Sequence, residues 1–500
     1  MYLKRYWLYP FLAVLLTLAG CRKDLNITPR KGAIVLPTTL SISSVLQNNM
    51  VVQRDKPVTI WGQAPANTAV SVNVSWNSGS LMTTADAAGN WMVSVPASAA
   101  NASPQTITVQ APGFSELSLS NILIGDVWVC SGQSNMVMPM DSIAPFRGVL
   151  NYQSEIAAAH YPMIRMMTVA EDYEPSPVSY LNKAPRWSVC SPATLGTTSA
   201  VAYYFARKLN TTLDVPIGII ISAVNGSFCQ DWANAGAIAS NPQLTNNYLA
   251  GSSGLYNGMI SPLNNLTIKG FTWYQGESNE HDSPVSDYTL LNIALINGWR
   301  AQFKQAALPF YYVQLTPFAD DYSNTNPPGG DTTLDFLGLL REAQANIRKI
   351  ASSTGMAVTM DVGDPANHHP RNKEPVGDRL ALLALNYTYG QNVQCVGPQY
   401  ASFTANQYTV TVNFIAGTAD GLNTVNNAPL NQHFFVAGTD HVFRLGRAVI
   451  SGNSIIITAP AATPLPIKAV RYAFTNSPIT NLQNSAGLPA EPFRTDTSPN

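Results

Sequence analysis

Residues 122–390 constrain the fold more than any other part of the chain, because short apolar runs there alternate with helix-length patterns. "DVWVC" precedes the helical "SAVAYYFARKLNTTL", and "VPIGIIISA" and "IKGFTWYQ" precede "YTLLNIALINGWRAQF". "PFYYVQL" precedes "DFLGLLREAQANIRKIAS", and "GMAVTMD" precedes "GDRLALLALNYTYG". That alternation predicts an α/β core, a parallel sheet with helices on both faces. Active residues of such sheets collect beyond the carboxyl ends of the strands.

The flanks read differently. Residues 37–121 carry strict alternation, as in "AVSVNVSW" and "NWMVSVP", punctuated by Gly, Asn and Pro. The same texture returns at 391–496 in "YTVTVNF", "SIIITAP" and "KAVRYAF". Both segments are expected to be antiparallel β-sandwich pieces. Ahead of them, Lys4 and Arg5 precede an apolar stretch that ends in "LAGC". Residues 1–21 therefore read as a signal segment too short to span a bilayer. It resembles a bacterial lipoprotein signal cut before Cys21, which would carry lipid, with residues 22–36 as a tether. Arg22 follows Cys21 where inner-membrane retention would favour aspartate, so an outer-membrane anchor in the cell envelope is expected.

Charge excludes one class of partner. Only 11% of residues are charged and the net charge is -1, so no basic face for nucleic acid is expected. The remaining cysteines, Cys130, Cys190, Cys229 and Cys395, lack metal-type spacing, and both disulfides and free thiols remain open.

Four strand ends carry residues able to do chemistry. "GDVWVCSGQSNM" breaks from an apolar strand into a tight turn with Ser134 at its tip. A serine there is exposed above the sheet edge, beside helix N–H groups able to hold an oxyanion. "PIGIIISAVNGS" ends on Gly226, and "FTWYQGESNE" on Gln275, Glu277 and Asn279. "MDVGDPANHHP" places His368 and His369 before a helix, two of only six histidines. Glu277 is read as a turn-locking carboxylate and His368 as a loop residue. Trp128 and Trp273 read as core, His281 as pocket rim, and Arg341 with Glu342 as a helix-surface pair.

Together "GDVWVCSGQSNM", "WYQGESN" and "HPRNKEPVGDRLA" make the chain similar to the sialate O-acetylesterase family, within the SGNH-type hydrolases. "NNMVVQRDKPVTIWGQA" and "NLQNSAGLPAEPFRTD" extend the resemblance over nearly all of 36–496. It implies an SGNH/flavodoxin-like three-layer parallel-sheet core between the two β segments. It implies Ser134 as nucleophile and His369 as base. The oxyanion hole would be the N–H groups of Ser134 and Gly226 with the Gln275 amide. Asp364 is expected to orient His369. Asn367 and Asp361 lie nearby, and the alternative is a Ser–His dyad held by a backbone carbonyl. No metal or cofactor is needed.

The implied reaction removes O-acetyl groups from a carbohydrate, with sialic acids as the family's usual substrate. The second block departs from the family, with Val224, Asn225 and Gln230 replacing Trp, Gly and an acid. That keeps open an acetyl esterase on plant xylan or pectin. A third reading, of another class, is an inactive carbohydrate-binding lipoprotein.

Overall fold

The structure is a computed structural model that describes residues 36–280, 284–319 and 331–497. The expected signal segment with Cys21, the tether up to residue 35, and His281 lie outside the described residues. Among the described residues no helix is long and apolar enough to cross a membrane.

The strand Leu117–Gly132 organises the molecule. Its first five residues, "LSLSN", alternate in exposure, and from Ile122 onward every residue is buried. The change marks where one covered face becomes two. The outer half pairs antiparallel with Asn101–Gln110 in the amino-terminal β region. The inner half joins a parallel sheet. The expected boundary at 121/122 therefore falls inside one continuous strand, and the β region and the core share an 11-stranded sheet.

Across the core the strand order is Trp187–Cys190, Tyr161–Thr168, Ile217–Ala223, Leu117–Gly132, Gly270–Tyr274, Phe310–Val313, Thr354–Ala357. Every neighbouring pair runs parallel except the antiparallel edge pair Trp187–Cys190 with Tyr161–Thr168. The chain first builds on one side of Leu117–Gly132 and then on the other. Such a reversal opens a crevice outside the carboxyl ends of the strands. Side chains one register step apart meet different helices. Trp128 meets Phe205 of the helix Ala200–Leu213 at 5.1 Å between ring centres. Phe271, opposite Val129, meets Trp299 of the helix Asp287–Gln302 at the same separation. Trp128 and Trp273 are both core residues, as expected.

The carboxyl-terminal region adds two four-stranded antiparallel sheets. It is fastened to the core by Arg341, and this corrects the expected surface pair with Glu342. Arg341 is fully buried and donates to the carbonyls of Leu315, Thr316, Thr475 and Asn476. Glu342 pairs with Arg494 instead. Leu337, Leu340, Arg341 and Gln344 form one helical stripe, and that stripe is the inner one. The four described cysteines are free and buried.

Candidate active site

The serine turn begins where the central strand stops. Gly132 has φ 143°, and a Cβ there would lie 2.0 Å from the Tyr274 carbonyl oxygen. Glycine is therefore required for the chain to leave the sheet so close to its neighbour. The next residue, Gln133, donates its N–H to that same carbonyl at 2.9 Å. Ser134 then opens a single turn, Ser134–Val137, and is buried at 6% exposure rather than exposed as expected, because the turn packs against the neighbouring strand ends.

The neighbouring strand end is tied to this turn, since Val224 N donates to Gly132 O at 3.1 Å. Two residues on, Gly226 has φ 67° and open space where a Cβ would stand. Its N–H belongs to an exposed turn. On the other side of the central strand, Gln275 is fully buried. Its Nε2 donates to Gln133 Oε1 at 3.0 Å, Ser227 O at 3.2 Å and Asn279 Oδ1 at 2.7 Å. Tyr288 OH donates to its Oε1 at 3.0 Å. An amide with two hydrogens and three protein acceptors has none to spare for a substrate. This departs from the expected oxyanion donor. Gln275 instead braces the residue before Ser134 and the residue after Gly226.

The fourth strand end carries the histidines. Ala366 N donates to Asp364 Oδ1 at 3.0 Å, and His369 N donates to Asn367 Oδ1 at 2.8 Å. The Asp364 carboxylate thus folds its own turn, and no hydrogen bond joins it to the His369 ring. In this geometry the carboxylate accepts within its own turn through one oxygen, so the expected orienting hydrogen bond is not formed here. His369 lies instead against Phe146, with ring centres 5.0 Å apart, and against His368 at 4.0 Å. Its Nε2 is buried and has no hydrogen-bond partner. Burial, then the charges of His368 and Lys373, push the imidazole down to about 3. It is therefore neutral at pH 7 with one nitrogen uncommitted.

A residue that sequence reasoning passed over joins the two halves. Asn135, directly after Ser134, donates its Nδ2 to the carbonyl of His368 at 2.8 Å. Residues 233 positions apart in the chain thereby share one hydrogen bond, and Ser134 and His369 stand on either side of it. The Ser134 hydroxyl and the His369 ring are not hydrogen-bonded to one another in this structure. Asn135 also donates to Glu277 and accepts from Lys373. Glu277 thus holds the serine turn rather than only its own. The signal for these partners was "NKEPVG", where a lysine precedes a buried helix in a chain otherwise poor in charge.

The family model described as carbohydrate esterase, sialic acid-specific acetylesterase, matches residues 124–369, a span that begins in the central strand and closes on His369. Human sialate O-acetylesterase is 30% identical over 398 residues, which are 71% of this chain and 72% of that one. The rat sialate O-acetylesterase is 27% identical, over 90% of this chain and 93% of that one. A carbohydrate acetylesterase from Xanthomonas citri superposes with TM-score 0.82 at 34% identity, covering 91% of this chain and 99% of that chain. The fold and these likenesses define the protein as a carboxylic ester hydrolase of the carbohydrate esterases. Within that class, the chain belongs to the sialate O-acetylesterase family.

Proposed function

We propose that the protein hydrolyses O-acetyl esters on carbohydrates, O-acetylated sialic acids first among them, by acyl transfer through Ser134. The observation that supports this is the Asn135–His368 hydrogen bond, which ties the serine turn to the histidine loop. His369 Nε2 accepts the Ser134 proton as the oxygen attacks the acetyl carbonyl. The neutral state and free nitrogen of the imidazole support that role. The tetrahedral oxyanion is held by the N–H groups of Ser134 and Gly226, and Gln275 fixes both stretches. His369 returns the proton to the leaving sugar hydroxyl. Water then attacks the acetyl-serine, losing its proton to the same imidazole, which passes it to the Ser134 oxygen as the ester bond breaks and acetate leaves.

Acetylated xylan and pectin form the second reading. Asn225 is exposed beside Gly226 where the family carries glycine, and Gln230 accepts from Asn279 where the family carries an acid. Acetate release from O-acetylated sialic acid, acetylated xylan and acetylated pectin, using the full chain in detergent, tests both. A rate on either polysaccharide equal to that on the sialic acid removes the sialate assignment. Loss of all three in wild type, with p-nitrophenyl acetate also untouched, favours a binding lipoprotein. The residues "LAGC" support lipidation at Cys21 and a place at the bacterial outer membrane. Incorporation of labelled palmitate that disappears in Cys21→Ser is the expected result.

A further inference from the structure

Two buried titratable side chains stand behind the proposed catalytic pair and take no part in the steps above. Lys373 is 1% exposed, and Glu277 Oε2 is buried without a hydrogen-bond partner. Asn135, itself fully buried, lies between them. Lys373 Nζ donates to Asn135 Oδ1, while Asn135 Nδ2 donates to Glu277 Oε1 and to His368 O. One amide therefore spends its oxygen on the lysine and its two hydrogens on the other two turns. The lysine ammonium also sits 5.3 Å from the centre of the Tyr274 ring.

This is a poor device for stability. Burying an ion costs several kcal/mol, roughly, and the cost is recovered only when its partners saturate it. Here a carboxylate oxygen is left bare, and the lysine reaches the carboxylate through an amide rather than directly. A half-satisfied network is worse than an apolar core. What the cluster does accomplish is geometric: it joins the turn after Leu117–Gly132, the turn after Gly270–Tyr274 and the loop bearing His369.

We propose that Lys373, Asn135 and Glu277 form one positioning unit for the reacting pair, in which Lys373 clamps the Asn135 amide so that its hydrogens hold the histidine loop against the serine turn. The proposal rests on the reading of Ser134 and His369 given above. Lys373 also acts through its charge. The groups facing it are Glu277, Asn135 and the Tyr274 face from other elements, and His369 from its own loop. Those facing His369 are His368 and Lys373, with the Phe146 ring against it. Burial lowers the Lys373 ammonium to about 7, against the pull of Glu277. A positive neighbour disfavours imidazolium, so removing it raises the pH below which His369 is protonated.

The test uses p-nitrophenyl acetate and the full chain in detergent. Lys373→Met is expected to lower kcat about 100-fold with KM changed less than about threefold. The acid limb of its kcat/KM profile moves up by about one pH unit. Glu277→Gln keeps an acceptor for Asn135 and is expected to lose about tenfold less activity than Glu277→Ala. Asn135→Asp still accepts from Lys373 but cannot donate to His368 O, and it is expected to match Lys373→Met in kcat. If Lys373→Met does not fold, the Glu277 pair and Asn135→Asp decide. Wild-type kcat and an unmoved acid limb in Lys373→Met overturn the proposal, as does equal loss in Glu277→Gln and Glu277→Ala. Retained activity in Ser134→Ala would instead overturn the underlying functional reading, whatever the Lys373 variants do.

Discussion

The inner half of the strand Leu117–Gly132 carries a buried polar cluster at each end, and the two are built on opposite terms. At the entry end, Asp126 is fully buried and saturated. Its Oδ1 accepts from Gln53 Nε2 at 2.8 Å and Arg54 Nε at 3.1 Å, and its Oδ2 from Arg54 Nη2 at 2.8 Å and Tyr389 OH at 3.0 Å. At the exit end, His369 Nε2 and Glu277 Oε2 are buried and unpaired. Buried polar atoms are normally hydrogen-bonded, so exceptions ask for a reason. Saturation at Asp126 joins the amino-terminal β region to the core. Incompleteness at the exit end leaves the His369 imidazole with a nitrogen free, as the proposed base requires.

The two clusters differ most sharply under truncation. Ser134→Ala is expected to lower kcat on p-nitrophenyl acetate by about 10,000-fold, with stability shifted by less than about 0.5 kcal/mol. Denaturant melts alongside rates check both parts. Asp126→Ala is expected to do the reverse. It removes the carboxylate shared by Gln53, Arg54 and Tyr389 and costs about 3 kcal/mol of unfolding free energy, while the remaining folded protein keeps its KM. Loss of activity without loss of stability there would show that the two ends are not separable.

A smaller effect separates them by pH. Burial, His368 and Lys373 hold the imidazole at about 3, below its ordinary value. In the proposed mechanism the neutral form is the base, so kcat/KM is expected to stay level as pH falls from 7 through the free-histidine range, about 6.5. The decline belongs below about pH 5. An acid limb near the free-histidine value would contradict this. The smallest effect concerns Asp364. Its Oδ1 only accepts the Ala366 N–H, and asparagine retains that acceptor, so Asp364→Asn is expected to change kcat less than about threefold. An orienting triad aspartate would instead lose about 10,000-fold on the same substitution, and that result would restore the triad.

Ser134, Gly226 and His369 stood out as candidates because each is a chemically apt residue in the segment that follows an apolar strand, and the proposed mechanism rests on them. The α/β core was legible because periodicity alone marks it. Gln275 was legible as a site residue but not in its orientation. An amide after a strand reads the same whether it faces a crevice or three internal acceptors. The partner of Asp364 was not legible for a related reason, since an aspartate near a histidine in the chain can equally accept from the N–H groups of its own turn. Arg341 was misread although its stripe with Leu337, Leu340 and Gln344 was visible, because an arginine weighed more heavily than the period it belonged to.

By itself, then, the order of residues determined the alternating core, the β flanks, the glycines that let the chain leave the sheet, and the types of group standing at each strand end. Those depend on interactions within a few residues, which are local and short in range. The tertiary structure decided which groups meet: that Asn135 bridges to His368, that Gln275 turns inward, and that Lys373 lies beside an amide 238 positions away. Such contacts depend on strand order and register, through which one hydrogen bond brings together segments with no neighbourhood in the chain.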